Sequence, residues 1–448
     1  MKAYIETFGC QMNESDSERI LYLLENMGYS KTSDISDSDI IILNTCTVRE
    51  KAKNRLYGHI GNLKKLKDEK KDVLICVGGC ASQDLKEKII DDFPFVDIVF
   101  GTMNIPELPK LIEKRISTGK RICSIKEEGF DYNIFNVSRA CKFKALIPIT
   151  IGCDNYCSYC IVPFVRGREK SIEPEKIIKN IRELAGEGVL EITLLGQNVN
   201  SYGKNLDKPC TFSELLEKIS EIENIKRIRF MTSHPKDFSD ELINVIREKD
   251  NIVKHIHLPL QAGSDKILKE MNRGYTREDY LNIVENIRNI IPECSITTDI
   301  IVGFPGEERK DFLDTLDMIE RVRFNRAFTF IYSPRAGTKA AELEDRIQPA
   351  EKRKWFKELL EVQNRISYEE NKKLANKKFE VLVEGKSTKG NNMLEGRMEN
   401  NEIVNFKGDK KLIGSIVPVT ITEARSFYLM GELSNEKSAR EKLVIGAD

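Results

Sequence analysis

Short apolar runs alternate with helix-length amphipathic stretches along most of this chain, and that alternation limits the folds open to it. Lys2–Thr7 alternates like a short strand and leads into Gly9-Cys10. Ile40–Leu43 is wholly apolar and is followed by Asn44-Thr45-Cys46, and Val73–Val77 is followed by Gly78-Gly79-Cys80. A helix-like segment comes after each, the first opening near Ser15-Asp16 with Glu18, an N-cap signature. Strands alternating with helices predict a parallel sheet with helices on its faces. In such sheets ligands gather at the carboxyl ends of the strands. Cys10, Cys46 and Cys80 each stand just past such an end, so three thiols from distant parts of the chain are predicted to converge on one sheet edge.

The strand–helix pattern repeats about six times between residues 139 and 370. The predicted strands are Leu146–Ile151, Glu191–Leu195, Arg227–Met231, His255–Leu260, Ile296–Val302 and Ala327–Tyr332, with amphipathic stretches such as Pro174–Ala185 and Asp279–Ile290 between them. Six such units predict a partial (βα)6 barrel whose active face lies at the strand carboxyl ends. A long charged helix, Pro349–Leu374, closes the region. The tail turns to short β-rich runs, Phe379–Val383, Ile416–Ile421 and Ser426–Met430, separated by Gly and Asn turns, which predicts a small antiparallel β-barrel. Ser434–Asp448 is polar and expected to fray. The 448 residues thus divide into three expected domains, 1–125, 139–370 and 372–435, in line with about 150 residues per domain.

Lys+Arg and Asp+Glu both number 71, which excludes a strongly basic chain and confines any nucleic-acid contact to a local patch. No apolar run reaches the roughly 18 residues of a membrane helix, and the start enters a strand pattern without a signal peptide. A cytoplasmic protein is therefore expected. In that reducing setting the 11 cysteines read as thiols, metal ligands or catalytic groups rather than disulfides. The strongest signal is Cys153-Asp154-Asn155-Tyr156-Cys157-Ser158-Tyr159-Cys160, directly after the first strand of the barrel-like region. Three thiolates this close can wrap one soft metal centre, an iron–sulfur cluster, zinc or copper. Zinc calls for a fourth Cys or His nearby, and His59, His234, His255 and His257 are all remote in sequence. Three thiolates on a four-iron cluster leave one iron open. Structural zinc and ordinary buried thiols are the competing readings.

CxxxCxxC after the first strand of a (βα) repeat resembles the radical S-adenosylmethionine superfamily. Other words are similar to one family within it, the methylthiotransferases. They are Thr7-Phe8-Gly9-Cys10-Gln11-Met12-Asn13, Asn44-Thr45-Cys46-Thr47-Val48-Arg49-Glu50-Lys51-Ala52, Gly79-Cys80, Val165-Arg166-Gly167-Arg168-Glu169, Leu195-Gly196-Gln197-Asn198-Val199-Asn200-Ser201-Tyr202, Thr232-Ser233-His234-Pro235, Pro259-Leu260-Gln261-Ala262-Gly263-Ser264 and Asp299-Ile300-Ile301-Val302-Gly303-Phe304-Pro305-Gly306-Glu307. The tail resembles a TRAM domain, a small RNA-binding barrel. Two places depart from the family pattern: Ser171-Ile172 stands where Ser-Arg is frequent, and Ala81-Ser82-Gln83 where Met-Ala-Gln is usual.

The resemblance implies a mixed α/β enzyme: an amino-terminal parallel α/β sheet domain, a partial (βα)6 radical SAM barrel and a TRAM barrel. It implies that Cys153, Cys157 and Cys160 hold a radical-generating 4Fe-4S cluster whose open iron binds S-adenosylmethionine. Cys10, Cys46 and Cys80 would hold a second, sulfur-donating 4Fe-4S cluster. The implied reaction consumes two S-adenosylmethionine and places a methylthio group on carbon 2 of N(6)-dimethylallyladenosine at position 37 of tRNA. Sister enzymes act on threonylcarbamoyl-adenosine of tRNA or on a ribosomal-protein aspartate, and a non-catalytic, zinc-containing RNA-binding protein is the alternative of another class. The implied partners are the anticodon stem-loop and an external electron donor such as flavodoxin or ferredoxin, with no membrane and a monomeric state.

Gln197, Asn198, Ser233, His234 and Gln261 end successive barrel strands and are the candidate cofactor contacts; polar turn residues are the plainer reading. Gly303-Phe304-Pro305-Gly306 ends the fifth strand, as a tight turn or a close approach to adenine. Arg166 and Arg168 are candidates for a phosphate or cofactor carboxylate, or for a solvated face. Cys76, Cys123, Cys141, Cys210 and Cys294 have no paired spacing and read as filler. Lys64, Lys65, Lys67, Lys70 and Lys71 read first as a solvated face. Residues 372–433 carry 11 Lys/Arg against 8 Asp/Glu, and Phe406, Phe427 and Tyr428 suit either base stacking or barrel filling. Trp355 is expected to pack between domains.

Overall fold

A computed structural model describes residues 1–47, 50–127, 129, 134–390 and 392–434, apart from the side chains of 50–54. It divides into two compact units. One comprises residues 1–225, 230–232 and 333–342; the other holds 226–229, 233–332 and the chain from 343 onward. Of Ser434–Asp448, expected to fray, residues 435–448 lie outside the described residues, as do Val48 and Arg49 of the family-like words, while Ser434 N donates to Pro418 O.

The first unit opens with a six-stranded sheet ordered Ser30–Lys31, Lys2–Thr7, Ile40–Thr45, Leu74–Gly79, Ile98–Phe100 and Ile122–Ser124, with every neighbouring pair parallel. The central strands from Ile40 and Leu74 are buried at every position, which is why they read as unbroken apolar runs. Alternate side chains face opposite helical layers. Ile40, Ile42, Cys76 and Ile98 pack with Ile20, Leu24, Leu108 and Ile112; Ile41, Leu43, Ile75 and Val77 pack with Leu56, Ile60 and Ile89. The basic run before the Leu74 strand is only partly a solvated face. Lys67 Nζ donates to the buried Asp97 at 2.8 Å, Arg115 clasps the same carboxylate through Nε and Nη2, and Lys70 reaches Ser38 O.

Further along this unit, Lys144–Pro148 pairs in parallel with Glu191–Leu195. Helix Pro174–Gly186 lies between them in sequence, and helix Phe212–Ser220 follows with a Thr211/Glu214 capping box. The predicted strand Leu146–Ile151 breaks in two: Thr150–Ile151 leaves the sheet to pair antiparallel with Lys170–Ser171.

The second unit contains the parallel strands His255–His257, Ser295–Val302 and Arg326–Ile331. Its helices include Arg277–Ile290, Arg309–Val322 and Pro349–Lys372. Trp355 stacks on Phe312 at 5.4 Å within this unit rather than packing between domains. The tail is a closed five-stranded barrel ordered Lys378–Lys386, Met393–Arg397, Ile403–Lys407, Leu429–Leu433, Ile416–Ala424. It departs from a fully antiparallel barrel in one pairing, Ile403–Lys407 with Leu429–Leu433, which is parallel; strand Ile416–Ala424 lies between them in sequence and pairs antiparallel with the latter. Phe406 fills the barrel core, whereas Phe427 is 58% exposed.

Candidate functional site: two cysteine triplets

The predicted convergence of Cys10, Cys46 and Cys80 occurs around the side-chain amide of Asn13. Cys10 Sγ lies 3.5 Å and Cys80 Sγ 4.0 Å from Asn13 Oδ1. Gly9, at φ +126°, runs against the third thiol: a Cβ there would fall 2.4 Å from Cys46 Cβ and 3.1 Å from its Sγ. The amide is fixed from its other end, since Asn13 Nδ2 donates to Phe8 O and Thr45 O. Asn44 Nδ2 in turn donates to Asn13 O and Ser17 Oγ. Cys10 stands at the N-cap of helix Gln11–Asn26 and Cys80 opens helix Cys80–Leu85. Burial pushes the Cys80 thiol up to about 12 against the pull of Arg166. A thiol this buried keeps its proton until a metal replaces it.

The second triplet sits on the loop after Thr150–Ile151. Its shape is set by the Val165–Glu169 word. Cys153 N donates to Gly167 O at 3.2 Å, and Gly152, at φ +79°, passes so close to Gly167 and Arg168 that a Cβ would meet Arg168 O at 2.2 Å. Arg168 forks onto Asp154 through Nε and Nη2, and Glu169 N donates to the same carboxylate. Cys160 N donates to Cys157 O, and Ala340 N to Ser158 O. Burial raises Cys153 to about 11, opposed by the Asn155 amide.

The two triplets are linked through packing. Ile161 and Val165, just after Cys160, form one apolar cluster with Cys80. Arg166 is not turned to a phosphate or cofactor carboxylate: it is buried, with Nη2 at 2.9 Å from Asn13 Oδ1 and 2.8 Å from Asp16 Oδ2. Arg168 is spent on Asp154. Ile172 is 3% exposed, so at this departure from the family pattern the core takes an apolar side chain. Among the described residues no three His, Cys, Asp or Glu side chains close on a single metal ion. A four-iron cube takes each thiolate at a separate iron, so its ligands stand wider than those of one ion. Three thiols around a buried amide, from three separate strand ends, fit such a cube.

The candidate cofactor contacts stand at the expected strand ends. In the first unit Gln197 follows the strand ending at Leu195, and its buried Oε1 finds no hydrogen-bond partner among the described residues; the same holds for both amide atoms of Asn200. Asn198 is buried at the start of the Val199–Ser201 turn. In the second unit Ser233 Oγ is buried with no partner among the described residues. His234 Nδ1 accepts from Lys236 N. Gln261 is held at φ +71° by backbone bonds to Asp299 and Ile301. Buried polar atoms without protein partners are what a polar ligand would satisfy. His255 and His257 share Thr297 Oγ1 inside the second unit, and burial keeps His255 neutral. Sequence reasoning did not single out Asn13 or pair Arg166 with Asp16; Asn13 and Arg166 lie inside family-like words, and Asp16 drew notice only as part of a helix start.

Residues 2–101 match the family model described as Uncharacterized protein family UPF0004, 147–319 match the Radical SAM superfamily, and 372–434 match the TRAM domain. Fold and site together define a radical S-adenosylmethionine enzyme with a TRAM barrel. The tRNA-2-methylthio-N(6)-dimethylallyladenosine synthase of Natranaerobius thermophilus is 50% identical over 437 residues, covering 96% of each chain. The protein of the same name from Thermoanaerobacter pseudethanolicus is 50% identical over 96% of this chain and 92% of its own. This chain belongs to the radical S-adenosylmethionine methylthiotransferases. Among solved structures, the radical S-adenosylmethionine methyltransferase TsrM from Kitasatospora setae, with cobalamin and a [4Fe-4S] cluster bound, shares the fold. Its TM-score is 0.55 at 15% identity, over 76% of this chain and 74% of that one.

Proposed function

We propose that this chain transfers a methylthio group to carbon 2 of N(6)-dimethylallyladenosine at position 37 of tRNA. The observation that carries the reading is the meeting of Cys10, Cys46 and Cys80 around Asn13, beside a separate CxxxCxxC loop. Half-identical relatives bearing that activity in their names support it. Cys153, Cys157 and Cys160 would hold one 4Fe-4S cluster and Cys10, Cys46 and Cys80 the other. When bound, these clusters and S-adenosylmethionine supply radical formation and the sulfur.

The chain's own residues bind and orient. Gln197, Asn198, Ser233, His234 and Gln261 would take the polar ends of S-adenosylmethionine. The Asp154–Arg168 fork holds the CxxxCxxC loop in shape. Asn13 fixes the Cys10–Cys46–Cys80 triplet. The barrel at 378–433 offers exposed Phe427, and Tyr428 with Lys389 Nζ 4.8 Å from its ring centre, to the anticodon stem-loop. The domains would run 1–125, 139–370 and 372–435. The protein would act as a cytoplasmic monomer with an external one-electron donor such as flavodoxin or ferredoxin. No helix among the described residues is long and apolar enough to cross a membrane.

Nucleoside analysis of tRNA from a deletion strain tests the substrate. Loss of 2-methylthio-N(6)-dimethylallyladenosine, with its unthiolated precursor accumulating, is expected. Loss of the methylthio-threonylcarbamoyl nucleoside instead would overturn the prenyl assignment.

A further inference from the structure

We propose that Arg166 is the counter-charge of the Cys10–Cys46–Cys80 site and sets the electron affinity of the cluster held there. The inference rests on the assignment of a cluster to that triplet. Arg166 ends the short helix Val162–Arg166 that begins two residues after Cys160, so the loop carrying one triplet delivers a fixed cation to the other. The delivery is rigid. Thr102 Oγ1 donates to Val165 O at 2.8 Å, and Ile161 and Val165 pack on Cys80. The guanidinium is buried, where a charge acts with little solvent screening. Its Nη2 donates both to Asn13 Oδ1 and to Asp16 Oδ2.

The placement has a chemical consequence. In the thiol state Asn13 Oδ1 accepts from Cys10 and Cys80. Sulfurs bound to iron carry no proton, so that oxygen loses both donors and faces anionic sulfur. Arg166 Nη2 remains on it as a donor and brings the positive charge that offsets the thiolates. Asp16 tempers that charge, and Arg19 Nη1 lies 3.8 Å from the other Asp16 oxygen. One-electron reduction adds negative charge to the cluster, so a nearby cation favours it and a nearby anion opposes it.

The test uses the full-length chain with Cys153, Cys157 and Cys160 changed to Ala, so that only the amino-terminal site loads, reconstituted anaerobically with iron and sulfide. Loading of about four irons per chain is expected. A chain that binds none overturns the cluster assignment and the proposal with it. In the loaded chain, dye-mediated reductive titration reads the midpoint potential. Arg166→Met lowers the reduction equilibrium constant at least tenfold, about 59 mV for one electron. Asp16→Asn moves it the opposite way, and Arg166→Lys, which keeps the charge, stays near the parent. If Arg166→Met loads and its potential does not move, or if Asp16→Asn shifts in the same direction as Arg166→Met, the counter-charge role is refuted while the cluster assignment stands. Should Arg166→Met fail to fold, Asp16→Asn alone decides by the sign of its shift.

Discussion

Replacing Gly9 with Ala attacks one triplet and leaves the other alone. Gly9 sits at φ +126°, a region nearly closed to residues with a Cβ, so the backbone strain is on the order of 1–3 kcal/mol. The added methyl would also stand 2.4 Å from Cys46 Cβ, well inside contact. Overpacking of this kind costs about 1–3 kcal/mol, and together the two reach about 2–6 kcal/mol. Relief requires Cys46 to move, which takes one thiolate from its corner. Gly28→Ala is the control: φ is +85° with nothing within 4 Å of the new atom, so only strain of about 1–2 kcal/mol applies. Two assays read the difference. Thermal unfolding of iron-free protein should place Gly9→Ala below Gly28→Ala. Anaerobic reconstitution should give about eight irons per chain in Gly28→Ala and about four in Gly9→Ala. Full iron loading in Gly9→Ala, with a midpoint matching the control, would refute the account of the Cys46 packing.

Asp97→Asn removes the buried carboxylate that binds Lys67, Arg115 and the Ile75 amide, and urea unfolding should register a loss of about 3–5 kcal/mol. Arg227→Met leaves the carbonyls of Arg397 and Glu380 without the guanidinium that now donates to them at 2.7 and 2.8 Å; calorimetry should show a loss of about 2–6 kcal/mol at 1–3 kcal/mol per carbonyl. Burial pushes Glu307 up to about 7 although the Gly303 and Phe304 amides pull it down. The folded chain therefore binds this proton more tightly than the unfolded chain. Its contribution to stability is full below 4.5 and is lost as pH rises through 7, by about 3 kcal/mol. Glu307→Gln should flatten that part of the pH–stability curve, and an unaltered slope between those values would contradict the assignment.

The strands that carry the cysteines were legible because central parallel strands are apolar on both faces, as Ile40–Thr45 and Leu74–Gly79 are. Their order along the chain then sent the cysteines to one edge. Ser30–Lys31, Ile98–Phe100 and Ile122–Ser124 complete the sheet but span only two or three residues, too few to show a period. Met393–Arg397 and Ile403–Lys407 escaped for another reason: Gly396 and Asn405 give them the composition of turns. The Asn13–Arg166–Asp16 network could not be read at all. It joins residues about 150 positions apart, and a buried arginine differs from a surface one only through the neighbours that folding supplies.

The most direct trial combines chemically reduced, cluster-replete protein with S-adenosylmethionine and a short anticodon stem-loop bearing the prenylated adenosine. Formation of 5′-deoxyadenosine together with the 2-methylthio nucleoside is the expected result, with both products abolished when Cys153 is Ala and only the thiolated one abolished when Cys46 is Ala. A replete enzyme that yields no 5′-deoxyadenosine, or a Cys46→Ala protein that still thiolates the base, would contradict the division of labour between the two triplets.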